Sequence, residues 1–162
     1  MSDYSAFLQA KSQAGADSGF APVFMPGFLF DFQAAMVDWA VRKGRAAIFA
    51  DCGLGKTPMG LTWASNVARK TSKPVLYLTP LAVASQTVRE AHKFDIDAIH
   101  SKDGSSVGHI VVANYERLPY FRPDDFAGVV CDESSILKSF AGERRGEVEA
   151  EPVDVHLLDP VP

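Results

Sequence analysis

The feature that most constrains the fold is the segment ADCGLGKT at residues 50–57. It follows a short apolar run, AAIFA at residues 46–50, and precedes a stretch with helical character that begins near Lys56. A strand, a glycine-containing turn and a helix in this order are the context of a phosphate-binding loop. Gly53 and Gly55 let the backbone curl so that several N–H groups point at one anion, and the helix N-terminus adds partial positive charge. The segment therefore predicts an α/β unit with an anion site at the start of its helix.

The residue types in this loop predict separate roles around a bound nucleotide. Lys56 would reach the β- and γ-phosphates, and Thr57 would place its hydroxyl on Mg²⁺. Pro58 suits the first helical turn, because a residue there needs no partner for a backbone N–H. The strict pattern begins with glycine where this chain has Ala50, so it fails by one residue. The alternative is a glycine-rich turn with an exposed lysine.

Strand-like and helical segments alternate along the chain. Helical patterns are predicted after Asp31, with residues 32, 35, 36, 39 and 40 on one apolar face and Gly44 as the C-terminal cap. Further helices are predicted at 56–69, 83–94 and from 134–140, and apolar strands at 46–50, 75–79, 110–113 and 128–131. Such alternation implies parallel strands joined by right-handed crossovers. We therefore expect a three-layer α/β fold around a parallel sheet.

A second motif, VVCDE at residues 129–133, ends one of the apolar strands. The strand would deliver two carboxylates at the carboxyl edge of the sheet, where the phosphate site also lies. Asp132 would hold the Mg²⁺ shell, and Glu133 would orient and deprotonate the attacking water. A helix-capping acid is the alternative for either residue. Taken with the phosphate-binding loop, the pair predicts an ATP-hydrolysing site.

The order of these motifs resembles the first motor domain of superfamily 2 helicases and translocases, with a RecA-like P-loop NTPase fold. The likeness is greatest to the Swi/Snf-like branch and its phage and bacterial relatives. DCGLGKT is similar to that branch's GLGKT loop, and residues 132–135 stand where the family has its DExx box of DEAD/DEAH type. Residues 79–81, TPL, and 114–118, NYERL, resemble two motifs that contact nucleic acid. Gln33 resembles an upstream glutamine that reads adenine, and the resemblance spans about residues 28–145.

This resemblance implies a helicase or translocase domain that couples hydrolysis of Mg-ATP to binding of DNA or RNA. It implies catalytic roles for Lys56 and Glu133, and Mg²⁺ contacts from Thr57 and Asp132. Contacts to nucleic acid are expected from Thr79, Pro80, Asn114 and Tyr115. The expected nucleotide-binding residues are Gln33, Gly53, Leu54, Gly55, Lys56, Thr57 and Pro58.

The charge distribution separates a body from a tail. The net charge of −4 divides into +1 for residues 1–146, with sixteen Lys and Arg against fifteen Asp and Glu, and −5 for residues 147–162. We expect a lead-in at residues 1–27, the ATP-binding domain at 28–145, and an acidic, proline-containing tail at 146–162 without regular structure. A net charge of +1 on the body is compatible with binding a nucleic-acid backbone.

The chain lacks features of a complete motor of the resembled family. No Ser-Ala-Thr-like third motif and no second α/β domain follow the DExx segment, and the family needs a second RecA-like domain for motor activity. We therefore expect a truncated first domain that is inactive as a motor. The alternative is a non-motor nucleotide-binding remnant, or a gene fragment without activity.

The remaining features predict a cytoplasmic protein, and the resemblance to phage and bacterial relatives implies a bacterial or phage-infected cell. The N-terminus lacks the layout of a signal peptide, and no apolar run approaches the length of a membrane span. The two cysteines, Cys52 and Cys131, are most simply free thiols in a reducing compartment. The four histidines show no metal-ligand spacing.

Overall fold

The computed structural model describes residues 17–51 and 53–132 and, for the backbone alone, the strand at 153–157. Its centre is a six-stranded sheet with the spatial order β1-β6-β5-β2-β4-β3. The strands in chain order are β1 (Ala46–Ile48), β2 (Val75–Thr79), β3 (Ala98–His100), β4 (Ile110–Asn114), β5 (Gly128–Cys131) and β6 (Val153–Leu157).

Four neighbouring strands, β3, β4, β2 and β5, are all parallel. Val75 at the start of β2 pairs in register with Ile110 of β4 and with Gly128 of β5. The strands β2 and β4 are buried along their whole length, as the continuous apolar runs VLYLT and IVVAN predict for strands covered on both faces. The predicted α/β class with a parallel sheet flanked by helices is confirmed, and each of the four predicted runs forms a strand.

The strand β6 corrects the expectation for the tail. It lies antiparallel between β1 and β5, so that Val155 pairs with both Ala46 and Val130. The expectation that residues 146–162 lack regular structure is therefore wrong at 153–157. The segment VDVHL alternates apolar and polar residues, which is the period of a strand, and the prolines of the tail lie outside it.

Three helices, α1 (Asp31–Lys43), α2 (Lys56–Thr71) and α3 (Ala84–Lys93), pack on one face of the sheet. Their common core includes Trp63 of α2 and Tyr77 of β2, both fully buried. Within the described ranges, the other face is covered by two short 3-10 helices, Tyr115–Tyr120 and Pro123–Asp125. The helix predicted from residue 134 lies outside the described residues. None of the described helices combines the length and apolar character needed to cross a bilayer.

Helix α1 buries only part of the predicted face, with Ala40 fully buried and Met36 packed against the core as expected. Phe32 and Trp39, expected on the buried face, are each 45% exposed, whereas Gln33 and Val37 are buried. The amide of Gln33 has hydrogen-bond partners inside the protein, which makes its burial possible. The predicted cap at Gly44 is confirmed, with φ of 76° at the end of the helix.

The lead-in segment is fixed to the helical layer by one buried amide. The side-chain oxygen of Asn66 in α2 accepts hydrogen bonds from the backbone N–H groups of Val23, at 2.8 Å, and Phe24, at 2.9 Å. Its nitrogen donates to the carbonyl of Phe24 at 2.7 Å. Four residues later, Phe28 stacks on Phe94 with ring centroids 4.0 Å apart. These contacts deliver the following residues to the start of α1, beside the predicted phosphate-binding loop.

Candidate functional site

The predicted phosphate-binding loop turns at two glycines with positive φ. Gly53 and Gly55 adopt φ of 83° and 74°, in the left-handed region that only glycine enters at low cost. The N–H of Leu54 donates to the carbonyl of Asp51 at 3.3 Å, which closes the turn between them. Helix α2 starts at Lys56, directly after Gly55. Its first turn has no acidic residue, and no side chain within the described ranges caps it. Its first N–H groups are therefore available to an anion.

The side chain of Lys56 folds back over this loop. Its Nζ donates to the carbonyl of Ala50 at 2.7 Å and lies 3.4 Å from that of Asp51. Both carbonyls belong to the residues that open the loop. The ammonium is thus held at the mouth of the loop, where a negatively charged ligand would meet it.

Gln33 connects helix α1 to the loop. Its Oε1 accepts from the N–H of Phe30 at 3.0 Å, and its Nε2 donates to the carbonyl of Leu54 at 2.9 Å. A Cβ on Gly55 would collide with Nε2 of Gln33, so glycine is required there for space as well as for φ. The predicted residues Gln33, Leu54 and Gly55 therefore lie in mutual contact. Two more of the set, Thr57 and Pro58, lie half-buried in the first turn of α2.

A cavity of 310 Å³ opens beside the loop. Phe30 and Phe32 stand at its rim, 70% and 45% exposed, with nearly parallel rings whose centroids are 6.2 Å apart. Among its described lining residues, Gln33 carries the only side-chain hydrogen-bonding group. The lining comprises Phe28, Phe30, Phe32, Gln33, Gly53, Leu54, Gly55, Pro58 and Phe94.

Asp132 leaves the sheet at the same edge as the loop. Because β1 and β5 are both antiparallel to β6, they run in the same direction. Their ends are two strand spacings apart, about 10 Å. The backbone of Asp132 is fixed by its N–H, which donates to Leu78 at 2.8 Å, and by its carbonyl, which accepts from the hydroxyl of Tyr115 at 2.7 Å. The predicted partner Glu133 lies outside the described residues.

Thr57 and Asp132 suit a magnesium ion that is carried in by a nucleotide. Mg²⁺ is usually held by one or two carboxylates together with waters and substrate phosphates, and a complete protein cage is not needed. In the described part of the chain, no three His, Cys, Asp or Glu side chains converge as metal ligands. These residues therefore do not form a metal site by themselves.

The four residues predicted to contact nucleic acid are mostly inside the protein. Thr79 is fully buried, and Asn114 and Tyr115 are 5% and 3% exposed, while Pro80 is half-buried. Asn114 donates its side-chain N–H to the carboxylate of Glu116, and this bond lowers the pKa of Glu116. Thr79 and Tyr115 are therefore not on a free surface, whereas Asn114, although 5% exposed, lines the edge of a cavity.

A second cavity, of 630 Å³, lies at the carboxyl edge near β3 and β4. Sequence reasoning missed three of its residues, His100, Lys102 and Tyr120, whereas Arg117 belongs to the motif predicted at 114–118. The guanidinium of Arg117 lies 5.4 Å from the ring centroid of Tyr120, and burial together with the charge of Lys102 lowers the pKa of His100. His100 and Lys102 depend on β3, whose three residues AIH show no usable periodicity. The other lining residues are Leu81, Asn114 and Glu116.

Comparison with known proteins does not assign the chain to a family. No protein-family model matches the sequence, and no curated protein matches it.

Proposed function

We propose that this chain is a nucleotide-binding domain of the RecA-like P-loop type, which binds Mg-ATP at residues 53–58 and hydrolyses it slowly. The observation that carries the proposal is the entry into α2. Gly53 and Gly55 curl the backbone, the first turn of the helix has no acidic residue, and Lys56 lies across the loop. Backbone N–H groups, a helix N-terminus and an ammonium group converge on one small volume, which favours a polyphosphate.

Each residue of the site has a chemical role in this proposal. Lys56 exchanges its two carbonyl partners for phosphate oxygens, and the hydroxyl of Thr57 and the carboxylate of Asp132 hold the metal ion. Mg²⁺ held by these two residues would supply positive charge that offsets the charge of the phosphates. Glu133 follows Asp132 directly and is the residue proposed to orient the attacking water and accept its proton.

We further propose that the domain derives from a superfamily 2 helicase or translocase acting on DNA or RNA. Support comes from the carboxyl edge of the sheet, where Lys102, Arg117 and Tyr120 are exposed around one cavity. Two cationic side chains and an aromatic ring are the groups that bind phosphates and bases of single strands. On this proposal the domain has the three-layer architecture of that superfamily and needs a second RecA-like domain for motor activity.

A second candidate is a nucleotide-binding module without motor function. The burial of Thr79, Asn114 and Tyr115 favours it, because nucleic-acid binding was predicted at these residues from the sequence.

An arginine supplied by another domain raises the rate of phosphoryl transfer by a factor of about 10³–10⁵. Hydrolysis by either candidate alone is therefore expected to be slow.

A phosphate-release assay tests the function and separates the two candidates. Wild-type chain, Lys56→Ala and the control Lys73→Ala, which removes an exposed lysine outside the site, are compared with and without single-stranded DNA. We expect slow release that is lost in Lys56→Ala and kept in Lys73→Ala. Equal release by wild type and Lys56→Ala would contradict the proposed site. Stimulation by DNA would favour the motor, and its absence the module.

A further inference from the structure

We infer that the cavity beside the phosphate-binding loop accepts the nucleotide base by stacking, without reading its hydrogen-bonding edge. The chain would then bind adenine, guanine, cytosine and uracil nucleoside triphosphates with little discrimination. Gln33 is on this account a positioning residue for the loop. The inference rests on the proposed nucleotide site and specifies the class of its ligand.

The side-chain amide of Gln33 is hydrogen-bonded to backbone groups of the protein. A side-chain amide reads an adenine edge with one N–H and its carbonyl oxygen, which must both face the base. Here Oε1 is bonded to the N–H of Phe30 and Nε2 to the carbonyl of Leu54. The side chain is 6% exposed, and Nε2 lies against the face of Gly55 where a Cβ would stand. Each end of the amide thus makes one bond to the protein's own backbone, and the second N–H and the second lone pair belong to a side chain that is only 6% exposed and offers a base little access.

The rest of the cavity is lined by apolar side chains. Its other described side chains are the aromatic rings of Phe28, Phe30, Phe32 and Phe94 with Leu54 and Pro58, none of which offers a hydrogen bond. The ring of Phe30 is the most exposed at 70%. Stacking on an aromatic ring tolerates any base, because every base has a π-face. A volume of 310 Å³ lies at the lower end of ligand cavities and suits a base with its sugar next to the loop.

The two bonds of Gln33 also explain why the residue is placed there. They join the first turn of α1 to the middle of the phosphate-binding loop, between the two glycines with positive φ. Removing the amide leaves the carbonyl of Leu54 without this partner and frees the loop to move. All triphosphates should then lose affinity by a similar factor, since the loop binds the part that they share.

The experiment is a set of binding titrations with the four nucleoside triphosphates and with inorganic triphosphate, each with Mg²⁺. For wild type we expect dissociation constants of the four nucleotides within about fivefold of one another, a spread of about 1 kcal/mol. Gln33→Ala, and Gln33→Met of matched length, should weaken all four in parallel. Phe30→Ala should weaken all four by about tenfold or more through lost stacking, and leave inorganic triphosphate unchanged. Trp39→Ala, an exposed aromatic of α1 outside the cavity, is the control.

Three results would overturn the inference. One is a preference of about tenfold or more for ATP in wild type that disappears in Gln33→Ala, which would make Gln33 the reader of adenine. Another is equal binding of all nucleotides by wild type and Phe30→Ala. Failure of all four nucleotides and of inorganic triphosphate to bind would reject the proposed nucleotide site itself, and the inference with it.

Discussion

Two buried tyrosines, one in β2 and one directly after the neighbouring strand β4, differ in what their hydroxyl groups contact. The hydroxyl of Tyr115, just after β4, donates to the carbonyl of Asp132 at 2.7 Å. The hydroxyl of Tyr77 in β2 is buried and has no hydrogen-bond partner within the described ranges. Burial raises the pKa of Tyr77 well above its usual value, so the phenol stays neutral. Leaving such a hydroxyl unpaired in the core costs about 1–3 kcal/mol.

Gly60 of α2 is the neighbour that makes room for Tyr77. A Cβ at Gly60 would lie 2.9 Å from the hydroxyl oxygen of Tyr77 and 3.2 Å from a ring carbon. Glycine inside a helix is about 1 kcal/mol less favourable than alanine, so this contact explains its presence in the middle of α2.

The contact between Gly60 and Tyr77 can be tested by a double-mutant cycle, with Tyr115→Phe as a comparison. Tyr77→Phe should leave the free energy of unfolding unchanged or raise it by about 1 kcal/mol, whereas Tyr115→Phe should lower it by about 1 kcal/mol. Gly60→Ala should destabilise the wild type by about 1–3 kcal/mol through overpacking. Combined with Tyr77→Phe, its cost should fall by at least about 0.5 kcal/mol. Urea unfolding measures all four variants, and strictly additive effects would contradict the contact.

At the scale of elements, β6 determines how the phosphate-binding loop is attached. Strand β1, which leads into the loop, pairs with β6, and β6 in turn pairs with β5 of the parallel sheet. The acidic segment that looks unrelated to the site in sequence is thus the link between the loop's strand and the rest of the sheet. We expect the order of β1 to depend on β6.

Val155→Pro tests this dependence. Proline cannot donate to a ladder and is excluded from central strands, so it should detach β6 from at least one neighbour. Hydrogen exchange at residues 46–48 should become at least about fivefold faster, corresponding to about 1 kcal/mol of lost protection. Val155→Thr keeps the backbone N–H and a β-branched side chain and should exchange like wild type. Unchanged exchange in Val155→Pro would contradict the linking role of β6.

Elements with strong local patterns were predictable, and those defined by tertiary contacts were not. The continuous runs VLYLT and IVVAN, and the helix that follows GLGKT, have patterns that few alternatives satisfy. The buried face of α1 was predicted only in part, because apolar spacing marked Phe32 and could not show that Gln33 finds two backbone partners. Strand β3 forms by pairing with β4, and a strand of three residues is too short to show a pattern in the sequence.

At the scale of the whole molecule, parallel strands bring distant motifs to one edge of the sheet. Asp132 lies 76 residues after Lys56 in the chain. Both follow strands that run in the same direction. The sequence predicted this convergence, because parallel strands that alternate with helices share a carboxyl edge. It could not predict the cavity around Arg117 and Tyr120, which depends on how the 3-10 helix after β4 folds against β3.

The central claim is that the loop between β1 and α2 binds a nucleoside triphosphate, and its most direct test is a calorimetric titration with Mg-ATP. Wild type should bind saturably. Gly55→Ala should weaken binding by about tenfold or more, because alanine at a φ of 74° is strained by about 1–2 kcal/mol and its Cβ meets Gln33. Gly27→Ala, where a Cβ meets open space, should bind like wild type. No binding by wild type, or equal binding by Gly55→Ala, would contradict the claim.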